Sequence, residues 1–476
     1  MLFNSFTFLL FFIVVYSVYL FLPHKKQNIW LLIASIVFYG FWSWKFIFLL
    51  LFTSTVDYWA GFKIYNSADP VFRKRILTVS IAANLVILGF FKYFNFFISE
   101  ANSLLHLFNI HINTHSLNII LPLGLSFYTF QSISYAWEIY RGENKPIDSI
   151  TDYWLFVSFF PHMIAGPIQK GKILIPQIIN KRIINLDKFY EGSYLVFFGL
   201  FKKVAIADQL APHVNKLFSM PLGSYTWVDV VMGVWMFAFQ IYADFSGYTD
   251  MARGLAKMMG FEFSLNFNLP YFSKSPSEFW KRWHISLSTW LSDFLYKPLG
   301  GSRKGRLITY RNLMITMVLG GLWHGASNHF ILWGFYQGSL LIIHKAWHEY
   351  MSRYSLYKSV AATKLYGVVS IIVTFIMTCY GWLIFRASSV GQVWDMTITV
   401  INGVGAIGSE FLYPAMLFNV IWLLFLVQLL QYIKKDLMFV YKLNKYWLLK
   451  SVYYFVVLYI LIKGEANGNE FIYFQF

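Results

Sequence analysis

The residues best placed to do chemistry lie in the run Leu319-Gly320-Gly321-Leu322-Trp323-His324-Gly325. It closes the apolar segment 313–322 with a histidine between a tryptophan and a glycine. A charged side chain at membrane depth costs roughly 2.5–3.5 kcal/mol on insertion scales, so an ionisable residue there marks a functional site by default. A neutral imidazole, with an ordinary pKa of about 6.5, can take a proton from a hydroxyl. Such general-base help is worth about 10²–10⁴ in rate. The competing reading of His324 is a core histidine bonded to a neighbouring helix. Two features favour chemistry. The helix is expected to end at Gly320-Gly321 and Gly325, where backbone or a ligand can approach closely, and a second histidine, His284, lies in an irregular segment.

That segment, 275–291, reads SPSEFWKRWHISLSTWL. Ser275 with Glu278 forms a capping box and Pro276 sits at the first helical position, so a helix starts here. Continued unbroken, it places Trp280, His284 and Ser288 on one face, with Lys281 and Arg282 off it. An interfacial amphipathic helix with an aromatic belt explains the same pattern without chemistry. Three further motifs carry polar groups. The run Tyr242–Asp250 (YADFSGYTD) is expected to end a span, its carboxylates Asp244 and Asp250 either orienting a histidine or capping a helix. His162 lies in a segment broken by Pro161, Gly166 and Pro167, and Asp208 closes Lys202-Lys203-Val204-Ala205-Ile206-Ala207-Asp208. No HxxxH or HxxEH spacing joins His162, His284 and His324, so no metal site is expected. Walker A, Rossmann and GxSxG signatures are absent. What remains is acyl transfer run by histidine, or no chemistry at all.

The elements that must hold these residues are membrane helices. Of 476 residues, 58% are hydrophobic and 13% charged, against about 25% charged in soluble domains. Apolar runs recur at 6–22, 29–44, 46–62, 77–98, 119–138, 190–206, 226–243, 308–322, 328–346, 366–385, 411–433 and 450–463, which gives eleven or twelve spans. Several fall short of the ~20 residues of a full crossing, so tilted, partial or paired segments are expected. The segments 151–168 and 275–298 fit ordinary spans poorly. Irregular backbone at that depth survives only against protein or a water-filled cavity, so both read as re-entrant or interfacial pieces.

The net charge of +17 follows from basic loops, not from a nucleic-acid partner. Loop 63–76 carries Lys63, Arg73, Lys74 and Arg75, segment 169–188 five basic residues and segment 434–450 five, whereas 99–118 carries none. Basic loops face the cytoplasm, which puts 99–118 and 387–410 outside, together with the N-terminus. The first 22 residues lack a basic n-region, so a retained first span is expected rather than a cleaved signal. The single cysteine, Cys379, rules out an intramolecular disulfide. The fold expected is an all-α polytopic integral membrane protein, one domain over residues 1–476.

The two segments Trp280-Lys281-Arg282-Trp283-His284-Ile285-Ser286-Leu287-Ser288 and Gly321-Leu322-Trp323-His324-Gly325 together resemble the paired signature of the membrane-bound O-acyltransferases (MBOAT). Residues 161–168 (PHMIAGPI), 244–248 (DFSGY) and 471–476 (FIYFQF) are similar to its AlgI/PatA-like branch, that of alginate and peptidoglycan O-acetyltransferases, with D-alanyl transfer proteins as relatives. The resemblance covers nearly the whole chain. It implies a ring of helices around a central tunnel, reached from both membrane faces and bounded here by 151–168, 275–298 and 308–346. It makes His324 the catalytic residue and puts His284, a position held by His or Asn, in the same tunnel. Trp323, Trp280, Arg282, His162, Asp208 and Asp244 are the supporting candidates. The donor implied is acetyl-CoA, with the basic group Lys281, Arg282, Lys297, Arg303, Lys304 and Arg306 a candidate for its phosphates or simply a positive-inside loop. The partner implied is a separate secreted or anchored SGNH-hydrolase-like acetyltransferase. The expected function is O-acetylation of an extracytoplasmic polysaccharide, alginate-like or peptidoglycan, from the bacterial inner membrane. A histidine-gated transporter, or an enzyme acylating a lipid or a protein, are the alternatives.

Overall fold

The computed structural model describes residues 1–110, 117–403, 412–442, 451 and 471–472. The last expected span, 450–463, lies outside the described residues apart from residue 451, as do Lys445, Lys450 and the end of the FIYFQF phrase. Among the described residues there is no strand. In chain order the helices are α1 Phe6–Phe21, α2 His24–Ser43, α3 Lys45–Asn66, α4 Pro70–Leu107, α5 Leu125–Tyr140, α6 Ile150–Ser158, α7 Phe160–Met163, α8 Gly171–Ile179, α9 Leu186–Lys202, α10 Asp208–Phe218, α11 Trp227–Met258, α12 Pro276–Arg282, α13 Ile285–Leu291, α14 Arg306–His324, α15 Asn328–Met351, α16 Ser355–Ala361, α17 Lys364–Arg386, α18 Val390–Asn402, α19 Leu412–Lys434 and α20 Phe439–Lys442. Helices α3, α4, α11, α17 and the Leu417–Lys434 part of α19 are each long and apolar enough to cross a bilayer. The protein is an all-α, polytopic membrane protein. Among the described residues these are fewer than the apolar runs, because several runs form helices that are shorter or carry more polar residues.

The chain divides into two compact units, residues 1–196 with 251–264 and residues 197–250 with 265–476. In the first, α4 runs for 38 residues, well past the apolar stretch that announced it. Asp69 caps its start through the Val71 amide, with Pro70 in the first turn, so Arg73, Lys74 and Arg75 are helical rather than in a loop. The broken segment is the pair α6 and α7. The amide of Phe160, freed at the break, donates to the Ser35 hydroxyl at 3.0 Å, which is how irregular backbone is tolerated in an apolar surround. Two buried polar knots hold this unit. Asp57 on α3 accepts from the Ser80 hydroxyl at 2.6 Å and the Asn84 amide at 2.9 Å, both on α4. Arg182 donates to Tyr19, Asn28 and Gln27 and lies over the Phe261 ring at 4.6 Å.

In the second unit α14 and α15 form a tight hairpin. A Cβ on Gly321 would come within 2.2 Å of the Phe330 carbonyl oxygen, and one on Gly334 within 2.4 Å of that of Met317. Small residues let membrane helices approach this closely. Contrary to expectation, Gly320 and Gly321 lie inside α14 and do not end it; the helix closes at His324, with Gly325 as its C-cap, the end that the third glycine marked. It is the facing helix, not a ligand, that fills the space beside Gly321.

Candidate active site

His324 is the last residue of α14, and Gly325 follows in extended backbone. The histidine is 6% exposed. Its ring meets those of Trp323 at 4.9 Å, Trp333 of α15 at 5.1 Å and Phe385 of α17 at 5.1 Å between centroids. The other face of the site comes from the 275–298 segment, which is not the single helix expected. It breaks after Arg282 into α12 and α13, and the break puts His284 in the left-handed region, at φ 42° and ψ 54°. Trp280, His284 and Ser288 therefore do not share one helical face. Packing overrides the local periodicity. The ring of Trp283, buried at the break, packs against Phe267 at 4.9 Å, Phe279 at 5.6 Å and Trp382 at 4.7 Å.

The break is held by the loop before it. The backbone of Asn268 donates to the Arg282 carbonyl at 2.9 Å, and the Asn266 carbonyl accepts from the Ile285 amide at 2.9 Å. The Asn266 side-chain oxygen lies 3.2 Å from His284 Nδ1 and accepts from the Ser286 amide at 3.2 Å and the Ser286 hydroxyl at 2.9 Å. His284 is fully buried, with its ring 4.8 Å from Phe245 of α11 and 6.2 Å from Trp323. It lies in the connection between two short helices, outside the membrane-spanning ones, and burial pushes its pKa down to about 3, which keeps the ring neutral. The indole of Trp323 thus touches both imidazoles, His284 and His324.

The supporting residues take different places. Trp280 donates to the Gln337 side chain at 3.3 Å and packs on Trp333 at 5.8 Å, so it reaches His324 through one intervening ring. Arg282 pairs with Glu278 at 2.8 Å and bonds the Asn268 carbonyl, an anchoring role. Glu278 also accepts from the Lys274 amide at 2.8 Å, completing a cap around Ser275. Asp244 and Asp250 do not end a span. They lie inside α11, which continues to Met258, and each is neutralised by a lysine: Lys203 to Asp244 at 2.9 Å and Lys202 to Asp250 at 2.6 Å. Lys203 also pairs with Asp208 at 2.9 Å. The widened π-turn Lys203–Ala207 joins α9 to α10 and brings both ends of that pair together. The second oxygen of Asp244 accepts the Ile472 amide at 2.7 Å. Next to it the Phe471 ring packs on Tyr248 at 4.8 Å and on Phe245, the neighbour of His284, at 5.9 Å. His162 belongs to the first unit, where its buried ring packs between Phe159 and Phe263. Among the described residues no group of three or more His, Cys, Asp or Glu could hold a metal ion. Sequence reasoning missed Asn266, Trp333 and Phe385. The only local signal was the asparagine pair Asn266 and Asn268 ahead of Pro270.

A membrane helix bundle that buries two histidines against one indole suits an integral-membrane acyl-transfer enzyme. Residues 143–385 match the MBOAT, membrane-bound O-acyltransferase family. The chain is 42% identical over 400 residues to the "Probable alginate O-acetylase AlgI" of Azotobacter vinelandii, covering 83% of this chain and 77% of that one. It is 42% identical over 401 residues to the same-named protein of Pseudomonas aeruginosa, covering 83% and 74%. It is 35% identical over 388 residues to the "Peptidoglycan O-acetyltransferase" of Helicobacter pylori, covering 76% and 71%. The chain belongs to the membrane-bound O-acyltransferase family, in its AlgI/PatA-like branch, and is an acyltransferase.

Proposed function

We propose that the protein transfers acetyl groups from cytoplasmic acetyl-CoA, through the inner membrane, toward O-acetylation of an extracytoplasmic polysaccharide. The observation that carries this reading is the pair of buried histidines on one indole, in a chain whose relatives are named for alginate and peptidoglycan acetylation. In the proposed reaction His324 takes the proton of an attacking hydroxyl as the oxygen adds to the thioester carbonyl. The C–S bond then breaks, the ester C–O bond remains, and the proton passes to the departing thiolate of coenzyme A. The hydroxyl belongs to the SGNH-hydrolase-like partner or to a small carrier, and the partner completes transfer to the glycan.

The test is to follow label from radiolabelled acetyl-CoA into the glycan in membranes of a complemented knockout, with and without the partner. Label should reach the glycan only when both proteins are present. Transfer that needs neither acetyl-CoA nor the partner would overturn the scheme. Cys379 is buried within α17 and serves no thioester step in this scheme, so Cys379→Ser should transfer at the wild-type rate. Loss of activity with the variant still inserted would point to a covalent acyl-cysteine.

The basic group is refined by its ion pairs. Arg282, Lys297 and Arg306 pair with Glu278, Asp293 and Glu349. Lys281, Arg303 and Lys304 are exposed, the last two in the glycine-bearing stretch before α14. These three are proposed to attract the coenzyme A phosphates. Changing them together to Gln should raise the apparent KM for acetyl-CoA several-fold, and more at low ionic strength. An unchanged KM with normal insertion would leave them as topology determinants only.

A further inference from the structure

We propose that Asn266 is a positioning residue of this site. It fixes the His284 imidazole as the Nδ1–H tautomer, so His284 presents a lone pair, not a proton, on Nε2. The argument starts from the amide of Asn266, whose oxygen and nitrogen are told apart by their partners. The Ser286 backbone N–H can only donate, and it points at this side-chain atom from 3.2 Å. The atom is therefore the carbonyl oxygen, which also accepts from the Ser286 hydroxyl at 2.9 Å. His284 Nδ1 lies 3.2 Å from the same oxygen. An unprotonated nitrogen there would set two lone pairs against each other in a site where both residues are 0% exposed. Nδ1 must carry the hydrogen. The ring being neutral, Nε2 carries the lone pair.

Asn266 also holds the backbone that aims the ring. Its main-chain and side-chain oxygens accept the Ile285 and Ser286 amides in turn. These two bonds cap the start of α13, a task the His284 side chain does not perform, and they stabilise the left-handed turn. The consequence for transfer rests on the acetyl-transfer reading above. With Nε2 as acceptor, His284 can hold the hydrogen of an incoming hydroxyl or of a substrate amide. It cannot donate to the negative oxygen that develops on the acyl carbon, so that charge is stabilised by another group.

The test combines spectroscopy with kinetics. Protein carrying ring-¹⁵N histidine gives imidazole nitrogen signals, and the difference from His284→Gln identifies those of His284. The expected wild-type result is a pyrrole-type Nδ1 and a pyridine-type Nε2. The reverse pattern would overturn the assignment, whatever the fate of any variant. Asn266→Leu should mix the tautomers, whereas Asn266→Asp and Ser286→Ala should keep Nδ1 protonated. Unchanged nitrogen signals in the leucine variant would remove Asn266 from the role. In transfer assays, Asn266→Leu should lower kcat by about 10²-fold at unchanged KM for acetyl-CoA, while Ser286→Ala should stay near wild type. An unchanged kcat in a leucine variant with mixed tautomers would sever the tautomer from transfer. If no label passed from acetyl-CoA to the glycan while the nitrogen signals matched expectation, the acetyl-transfer reading would fail and the tautomer would stand.

Discussion

His324→Ala should abolish glycan acetylation while the protein remains folded in the membrane. The imidazole ends α14 and is ringed by Trp323, Trp333 and Phe385. Removing it takes one ring from an aromatic wall but leaves the α14–α15 crossing untouched, because that crossing is made by Gly321 and Gly334 against backbone. The expected loss is the general-base contribution, about 10²–10⁴ in rate, enough to bring ester acetate on the polymer to background. The measurement is glycan acetyl content in a knockout complemented with wild type or variant, beside the amount of inserted protein. Near-normal acetylation by the variant would end the catalytic assignment. His324→Gln, closer in volume, separates lost chemistry from lost packing and should be as inactive.

The second large effect is on stability. Lys203→Met should strongly destabilise the protein, because one buried ammonium serves two buried carboxylates. The side chains of Lys203, Asp208 and Asp244 are 5%, 1% and 3% exposed. Removing one partner of a buried pair typically costs about 3–5 kcal/mol, since the remaining charge is left uncompensated. Here two such charges are left, one of them also holding the Ile472 amide. The variant should unfold at much lower temperature in detergent and lose monodispersity. Adding Asp208→Asn and Asp244→Asn to it should restore much of the loss by removing the stranded charges. A Lys203→Met protein as stable as wild type would show that the three groups do not act as a unit.

The sequence made some of this plain. Long apolar runs with basic loops between them announced a helical membrane protein, and most of the described helices fall on the runs read from hydropathy. The break just ahead of Pro161 and the helix start at Ser275 were visible because proline and capping residues act locally. The break at His284 was not. Residues 276–291 have helical spacing, and what interrupts them is the non-local grip of Asn266, Phe267 and Trp382 on Trp283 and its neighbours. Asp244 misled for a related reason. A carboxylate in an apolar run reads as a helix end until the lysine that neutralises it, 41 positions earlier in the chain, is brought beside it by the fold. The extra length of α4 was hidden because the residues that extend it, among them Arg73, Lys74 and Arg75 at its start and Glu100, Ala101 and Leu104 near its end, form helix readily, while hydropathy records only the apolar part. Of the site, the two histidines and their tryptophans were legible as types. Trp333, Phe385 and Asn266 were not, since nothing in their own neighbourhoods distinguishes them from ordinary helix and loop residues.

The left-handed backbone at His284 also acts as a filter on evolution. For most side chains that conformation costs roughly 1–2 kcal/mol, and for β-branched residues it is a genuine outlier. Asparagine, aspartate and histidine adopt it more readily than other residues with a side chain, and glycine adopts it freely. Mutational drift at this codon is therefore confined to a short menu by main-chain geometry, before any demand of chemistry is applied. Changes of activity at this position are then more accessible through asparagine than through the larger hydrophobic residues that surround it.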